Sequence, residues 1–305
     1  MIIKADLVSF FYILFKKVNS DPMTGKIQKA FVVYCSPAGT THHVSQTITR
    51  ALRAQKIEVI ECDLSKKFSE TAIITKINRI KNNACLFIGS PVYVSHAIPP
   101  VMDFIARLPV KPDMPAVPFV TWGGVTSGIA LSEMGQALAA KKMKIVGGAK
   151  ILARHAMMWQ TENPLGKNHP DESDDRIITE MVTGILKKLS KNADGAIDLS
   201  DLQYYPADIA AEMAKSTLKK AKSHMPKRKI DEDACTECRE CSTVCPTDAI
   251  SFTPYPVFEV NCIFCFNCMR LCPEDAIKAD FTKLEKRIRD RAQQLKETPE
   301  SQIFI

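Results

Sequence analysis

Eight of the 11 cysteines in this 305-residue chain fall into two runs of one spacing, CTECRECSTVCP at 235–246 and CIFCFNCMRLCP at 262–273. Each run reads C-x2-C-x2-C-x3-C-P, a spacing suited to thiolates that hold an iron–sulfur cubane. Three close thiolates wrap three irons of one cluster, and the fourth, turned away before the proline, reaches the other. The spacing therefore predicts one [4Fe-4S] site from Cys235, Cys238, Cys241 and Cys272 and another from Cys262, Cys265, Cys268 and Cys245. Each cysteine of the first run lies 27 positions before its counterpart, and the tails CPTDAI and CPEDAI differ at one residue. Disulfides and zinc are the alternatives. Disulfides suit a secreted chain, and zinc usually takes two CxxC pairs rather than two triplets.

On these motifs residues 231–280 resemble the bacterial-type two-[4Fe-4S] ferredoxins. The other three cysteines, Cys35, Cys62 and Cys85, fall in apolar strand-like runs and read as small buried hydrophobes. Cluster thiolates need a reducing compartment, which places the expected location in the cytoplasm.

The cysteine module takes only a sixth of the chain, so other elements must position it. A length of 305 residues fits about two domains, and 46% hydrophobic residues supply a core. From residue 29 onward, apolar runs rich in β-branched and aromatic residues alternate with helical patterns. The runs KAFVVYC (29–35), IEVIECDL (57–64), ACLFIGS (84–90), VPFVTW (117–122) and KIVGGAKIL (144–152) read as five strands. Between them Val44, Ile48 and Leu52, then Ile73, Ile77 and Ile80, then Leu131, Met134 and Leu138 recur at helical steps, as do Ile177, Met181, Ile185 and Leu189 after them. Such alternation predicts a doubly wound α/β domain over 28–190 with a five-stranded parallel sheet.

Sheets of this kind bind ligands beyond the carboxyl ends of their strands. After the first strand, SPAGTTHHV (36–44) places small and hydroxylated residues directly before a helix, a cradle for phosphate. It lacks both GxxxxGK[ST] and GxGxxG, which disfavours nucleoside triphosphates and dinucleotides. A plain N-capped strand–helix turn is the alternative. The loop resembles that of a flavodoxin, whose S/T-x-T-G-x-T turn holds the phosphate of FMN. Ser36, Gly39 and Thr41 match, and Ala38 departs by removing one hydroxyl donor. The backbone of Ser36, Pro37, Ala38, Gly39, Thr40 and Thr41 would still cradle the group, since one neutral hydrogen bond contributes only ~0.5–1.5 kcal/mol.

The same resemblance assigns the isoalloxazine to two further loops, Ser90, Pro91, Val92 and Tyr93 after the third strand, and Trp122, Gly123 and Gly124 after the fourth. Aromatic rings there would stack on the flavin and exclude water. No role is assigned to any of the six histidines. Residues 153–176 read as a long polar loop able to gate the flavin edge. A single helix is expected at 207–222 in the basic linker 191–230.

At the N-terminus, LVSFFYILF (7–15) is too short to span a bilayer as a helix, which needs about 20 residues. Peripheral membrane contact and a plain extension (1–27) are the open readings for it, with a signal peptide disfavoured by the missing cleavage pattern. Residues 231–280 hold ten carboxylates against three cations, net −7, so the remainder of a chain of net +7 carries +14. No nucleic-acid module accompanies this charge. Its expected uses are attraction between the two parts and steering of acidic electron-carrier proteins.

As a whole, residues 28–280 are similar to the flavodoxin–ferredoxin fusion proteins of anaerobes, the EFR-type ferrodoxins, with 281–305 expected as a C-terminal helix and tail. The resemblance implies a flavodoxin-like α/β domain followed by a small α+β two-[4Fe-4S] ferredoxin domain, and electron transfer between the clusters and FMN. An FMN-dependent oxidoreductase of a quinone or nitro compound, and a flavin-free redox sensor or interaction module, are the other readings.

Overall fold

A computed structural model describes residues 27–66, 70–81, 83–191 and 195–305; the apolar run at 7–15 lies outside them. The chain proceeds through β1 (Lys29–Tyr34), α1 (Thr40–Ala54), β2 (Glu58–Asp63), α2 (Glu70–Arg79), β3 (Ala84–Tyr93), β4 (His96–Ala97), α3 (Pro99–Arg107), β5 (Pro115–Trp122), α4 (Ala130–Ala140), β6 (Lys144–Ile145), β7 (Gly148–Leu152) and α5 (Glu172–Ser190). It continues through α6 (Ala207–Ala214), α7 (Leu218–Ala221), β8 (Lys229–Ile230), α8 (Glu240–Thr243), β9 (Ile250–Phe252), β10 (Pro256–Phe258), α9 (Asn267–Arg270), β11 (Ile277–Lys278), α10 (Thr282–Leu295) and β12 (Gln302–Phe304).

The long strands pair in parallel in the order β2-β1-β3-β5-β7. Counted by themselves they follow the 2-1-3-4-5 order of a flavodoxin-like sheet. Period-two alternation explains why both faces are covered. Phe31, Val33 and Cys35 point to a core shared with Ile73, Ile77, Phe104 and Leu131, while Ala30, Val32 and Tyr34 point to Val44, Ile48, Leu52, Ile178 and Met181. Cys35, Cys62 and Cys85 are buried as expected.

Two expectations are corrected and one is extended. The strand read at 144–152 is two strands, β6 and β7, with Val146 and Gly147 between them, although the Val146 N–H still donates to the Ala116 carbonyl of β5 at 3.1 Å. Gly147 leaves room there for the end of the chain, since a Cβ would come within 2.9 Å of the Phe304 carbonyl oxygen. The five parallel strands are present as expected, and short strands join them. β12, from the end of the chain, pairs antiparallel with β7, and β4 folds back on β3. Without β12 the β7 edge would present unpaired N–H and C=O groups. The single helix read at 207–222 is broken at 215–217, where the Thr217 hydroxyl accepts from the Lys220 N–H and starts α7 afresh.

The cysteine-rich part repeats in its backbone as well as its sequence. Positive φ occurs at Glu237, Arg239 and Asp248 and again 27 positions on, at Phe264, Phe266 and Asp275. Short helices α8 and α9, and the two-stranded ladders β9–β10 and β8–β11, keep the same relation. Its core is Ile250, Phe264, Phe266, Met269 and Ile277, and Ile263 with Cys265 joins the core on the α2–α3–α4 face of the large sheet.

Candidate functional site

β1 ends in the turn at 36–41, where Gly39 takes φ +89° and opens α1 without a side-chain cap. Ser36 Oγ accepts from the His42 N–H at 2.8 Å, and Thr41 Oγ1 lies 2.8 Å from Thr121 Oγ1 of β5. Both hydroxyls thus tie the turn to its scaffold, and Thr40 with Ala38 faces a cavity.

That cavity measures about 640 Å³, within the range of cofactor sites, and lies beyond the carboxyl ends of β1, β3 and β5. Of the residues expected at a flavin, Ala38, Thr40, Thr41, Pro91, Val92, Tyr93, Trp122 and Gly123 line it. Ser36, Pro37, Gly39, Ser90 and Gly124 are not part of its lining. Ser90 shapes the third-strand loop, donating to the Pro91 carbonyl at 2.8 Å and accepting from the Ile98 N–H at 3.0 Å. Pro37 offers its carbonyl to Arg270 Nη2 at 3.2 Å. Trp122 is 1% exposed, so its ring is floor rather than a free stacking face. Its Nε1 and the Tyr93 hydroxyl are buried without a hydrogen-bond partner.

The rest of the lining was read only in part from the sequence. It comprises Ala153 to Met157, Met213, Ser216 and Leu218 of the connector, Leu284 and Ile288 of α10, and Ile263 with Phe264 from between two cysteines. Residues 153–157 are the start of the loop read as a gate. His155, to which no role was assigned, accepts the Met157 N–H on Nδ1 at 3.2 Å. That bond leaves the imidazole proton on Nε2, and burial pushes the pKa down to about 4, so the ring is neutral. Gly123 leaves the room His155 needs, since a Cβ there would approach its ring to 2.7 Å.

Four of the eight cysteines share a lining. Cys245, Cys262, Cys265 and Cys268 line one small void with Arg228, Thr247 and Phe266. Burial pushes the Cys241 thiol up to about 11, and the charges of Cys268, Cys238 and Cys272 add to the shift. Among the described residues no three cysteine sulfurs lie within 4.8 Å of one another. Backbone N–H groups support the sulfurs in repeat-related pairs, Ala249 to Cys245 Sγ at 3.2 Å and Ala276 to Cys272 Sγ at 3.3 Å. Burial also pushes the Cys265 thiol up to about 12, so metal ligation must displace its proton.

The repeat differs in what flanks its middle cysteine. Cys238 is exposed between Glu237 and Arg239, whereas Cys265 is buried between Phe264 and Phe266. Phe266 packs against Phe281 and Trp159 at centroid distances of 4.9 and 6.3 Å. Arg270 spans the junction, donating from Nη2 to the carbonyls of Pro37 and Cys265. The polar-to-aromatic exchange at these positions was visible in the sequence and was the signal that the second run faces inward.

Residues 228–251, containing the first cysteine run, match the 4Fe-4S binding domain family. Comparison with curated proteins gives no match. Among solved structures, a flavodoxin from the domain Archaea is similar at 17% identity over 53% of this chain and 98% of that one, with a TM-score of 0.40. Flavodoxin 2 from Bacillus cereus is similar at 14% identity over 52% of this chain and 99% of that one, TM-score 0.40. Rubredoxin oxygen:oxidoreductase from the anaerobe Desulfovibrio gigas is similar at 16% identity and TM-score 0.41, over 55% of this chain and only 37% of that one. In class, the chain joins a flavodoxin-like α/β sheet, defined by its strand order, to a 4Fe-4S binding unit. Among the described residues no helix is long and apolar enough to cross a membrane.

Proposed function

We propose that the chain is a cytoplasmic electron-transfer iron–sulfur flavoprotein of the flavodoxin–ferredoxin fusion type. In this reading FMN takes the large cavity, and two [4Fe-4S] clusters take the cysteine sites. Cys235, Cys238, Cys241 and Cys272 ligate one, and Cys262, Cys265, Cys268 and Cys245 the other. The observation that carries it is the shared wall. Ile263 and Phe264, held between ligand-spaced Cys262 and Cys265, line the same cavity as the three strand-end loops.

When bound, the flavin supplies one- and two-electron chemistry and the cubanes one-electron chemistry, so together they convert between single-electron carriers and two-electron reactions. The chain's own residues do the rest. Thr40 and the start of α1 would hold the phosphate, Tyr93 and Phe264 would help exclude water from the ring, and His155 holds a proton on Nε2 as a neutral donor. The basic surface outside the cysteine module suits acidic electron-carrier proteins.

A second reading, reduction of a quinone or nitro compound, draws support from the reach of the cavity past the three loops to Met213, Leu284 and Ile288.

The test is iron and acid-released flavin per chain after purification without oxygen. About eight irons, four per cubane, and about one FMN are expected. Full iron without flavin, even after reconstitution with FMN, removes the flavoprotein reading and leaves an iron–sulfur module joined to an interaction domain. Catalytic turnover of quinone or nitro acceptors by the loaded protein would favour the second reading.

A further inference from the structure

The halves of the cysteine module agree in spacing, backbone and ligands, but the repeat-related positions 228 and 255 differ in charge and in what they offer the sulfurs. Arg228 stands immediately before β8, and 27 positions on Tyr255 stands immediately before β10. The Arg228 guanidinium donates from Nη1 toward Cys268 Sγ at 3.6 Å and from Nη2 to Cys262 Sγ at 3.4 Å. Its carbon lies 3.6 Å from the centroid of Phe258, which holds the fork against the sulfurs. Among the described residues no other side-chain N–H group donates to a sulfur of either run. Tyr255, neutral, has Glu232, Glu237 and Cys235 as electrostatic neighbours.

Reducing a cubane adds one negative charge spread over iron and sulfur. Hydrogen bonds to the sulfurs and a nearby cation stabilise that charge and raise the reduction potential. Nearby carboxylates do the opposite, and in the first run Glu237 directly precedes Cys238. Burial of Cys265 and Cys268 would by itself lower the potential of the second site, because an added charge is disfavoured away from water. Arg228 opposes that penalty.

We infer that Arg228 raises the potential of the Cys245, Cys262, Cys265 and Cys268 site above that of the Cys235, Cys238, Cys241 and Cys272 site, so that a single added electron rests beside the cavity. The change is a one-electron reduction of that site by an external one-electron donor, with no bond made and no proton moved. The inference rests on the reading that both thiol sets hold [4Fe-4S] clusters.

The experiment is an EPR-monitored redox titration with dithionite on the full chain, for the wild type, R228Y and R228K. Arg228→Tyr installs the repeat's own residue, and Arg228→Lys keeps the charge but loses the fork. Iron per chain is measured on each sample. Two potentials are expected in the wild type. R228Y should lower the higher one so that, at a fixed applied potential, its reduced-to-oxidised ratio falls at least tenfold, about 59 mV for one electron, with the other unmoved. R228K should lower the same potential by a smaller step. Both potentials unmoved in a fully loaded R228Y, or both moved together, would overturn the inference. Should R228Y lose iron, R228K decides, and unmoved potentials in it overturn the inference equally. A wild type with far fewer than about eight irons sinks the two-cluster reading itself.

Discussion

His155 and Glu297 show how single side chains here are set by partners far away in sequence. Burial holds His155 near a pKa of 4, against ~6.5 for the free side chain. Between those values the unfolded chain binds the proton and the folded chain does not, so stability falls as pH drops from about 6.5 to 4 and levels off below. The melting temperature of the wild type is expected to fall more steeply than that of His155→Gln across this window; parallel curves would refute it. Glu297 reaches back from beyond α10 to Lys150 of β7 at 2.9 Å and to the Ser127 N–H at 2.7 Å, with both charged side chains 8% exposed. Burial opposes ionisation of Glu297, yet Ser127, Tyr205 and Lys150 together hold its pKa below the ordinary value. Glu297→Leu alone should cost about 3–5 kcal/mol in urea unfolding because it strands a buried cation, and adding Lys150→Met should recover much of that loss. At this scale the sequence was partly legible. It marked Ser36 and Thr41 as hydroxyls at a strand end, but not that His42 and Thr121 already engage them, because such bonds join positions that only the fold brings together.

Elements long enough to show a period were legible. The β1, β3 and β5 runs are apolar throughout because both faces of the sheet are covered, and α1 and α4 carry their stripes at the expected positions, while α5 buries Ile178, Met181, Val182 and Ile185 in place of a stripe starting at Ile177. Short ones were not. β12 is three residues long, below the length at which alternation speaks, and its strand character comes from the open β7 edge. Deleting residues 302–305 should therefore speed amide hydrogen exchange in 148–152 while iron content stays unchanged; unchanged exchange there would mean that β12 does not protect the edge. Glycine placement gives a sharper test in the loop after β5. Gly128 has φ +61°, and a Cβ would meet the Ser95 carbonyl oxygen at 2.2 Å, a backbone atom unable to give way. Gly128→Ala is expected to destabilise by more than about 1 kcal/mol from left-handed strain alone, with the clash adding to it.

For the whole molecule, charge predicted attraction between an acidic module and a basic remainder, and the contact itself is aromatic and apolar. Trp159, Phe266 and Phe281 interlock, Ile263 and Cys265 enter the core of the large sheet, and Arg270 bridges to the Pro37 carbonyl. Electron passage within the chain should thus be nearly indifferent to salt. Stopped-flow reduction of bound flavin after dithionite loads the clusters is expected to change less than about twofold as ionic strength passes from well below to well above 0.1 M, where the Debye length is ~10 Å. Arg270→Ala should slow that step with iron and flavin contents unchanged. A steep salt dependence would instead mean that the two parts meet through their surface charge. The return of the chain to β7 also fixes an order of synthesis. The strand that completes the large sheet leaves the ribosome after all eight cluster-spaced cysteines, so the flavodoxin-like sheet reaches its final form only when the cysteine module has already been made. A nascent chain stalled before residue 302 would carry all eight cysteines of the two runs while its sheet still had an open border.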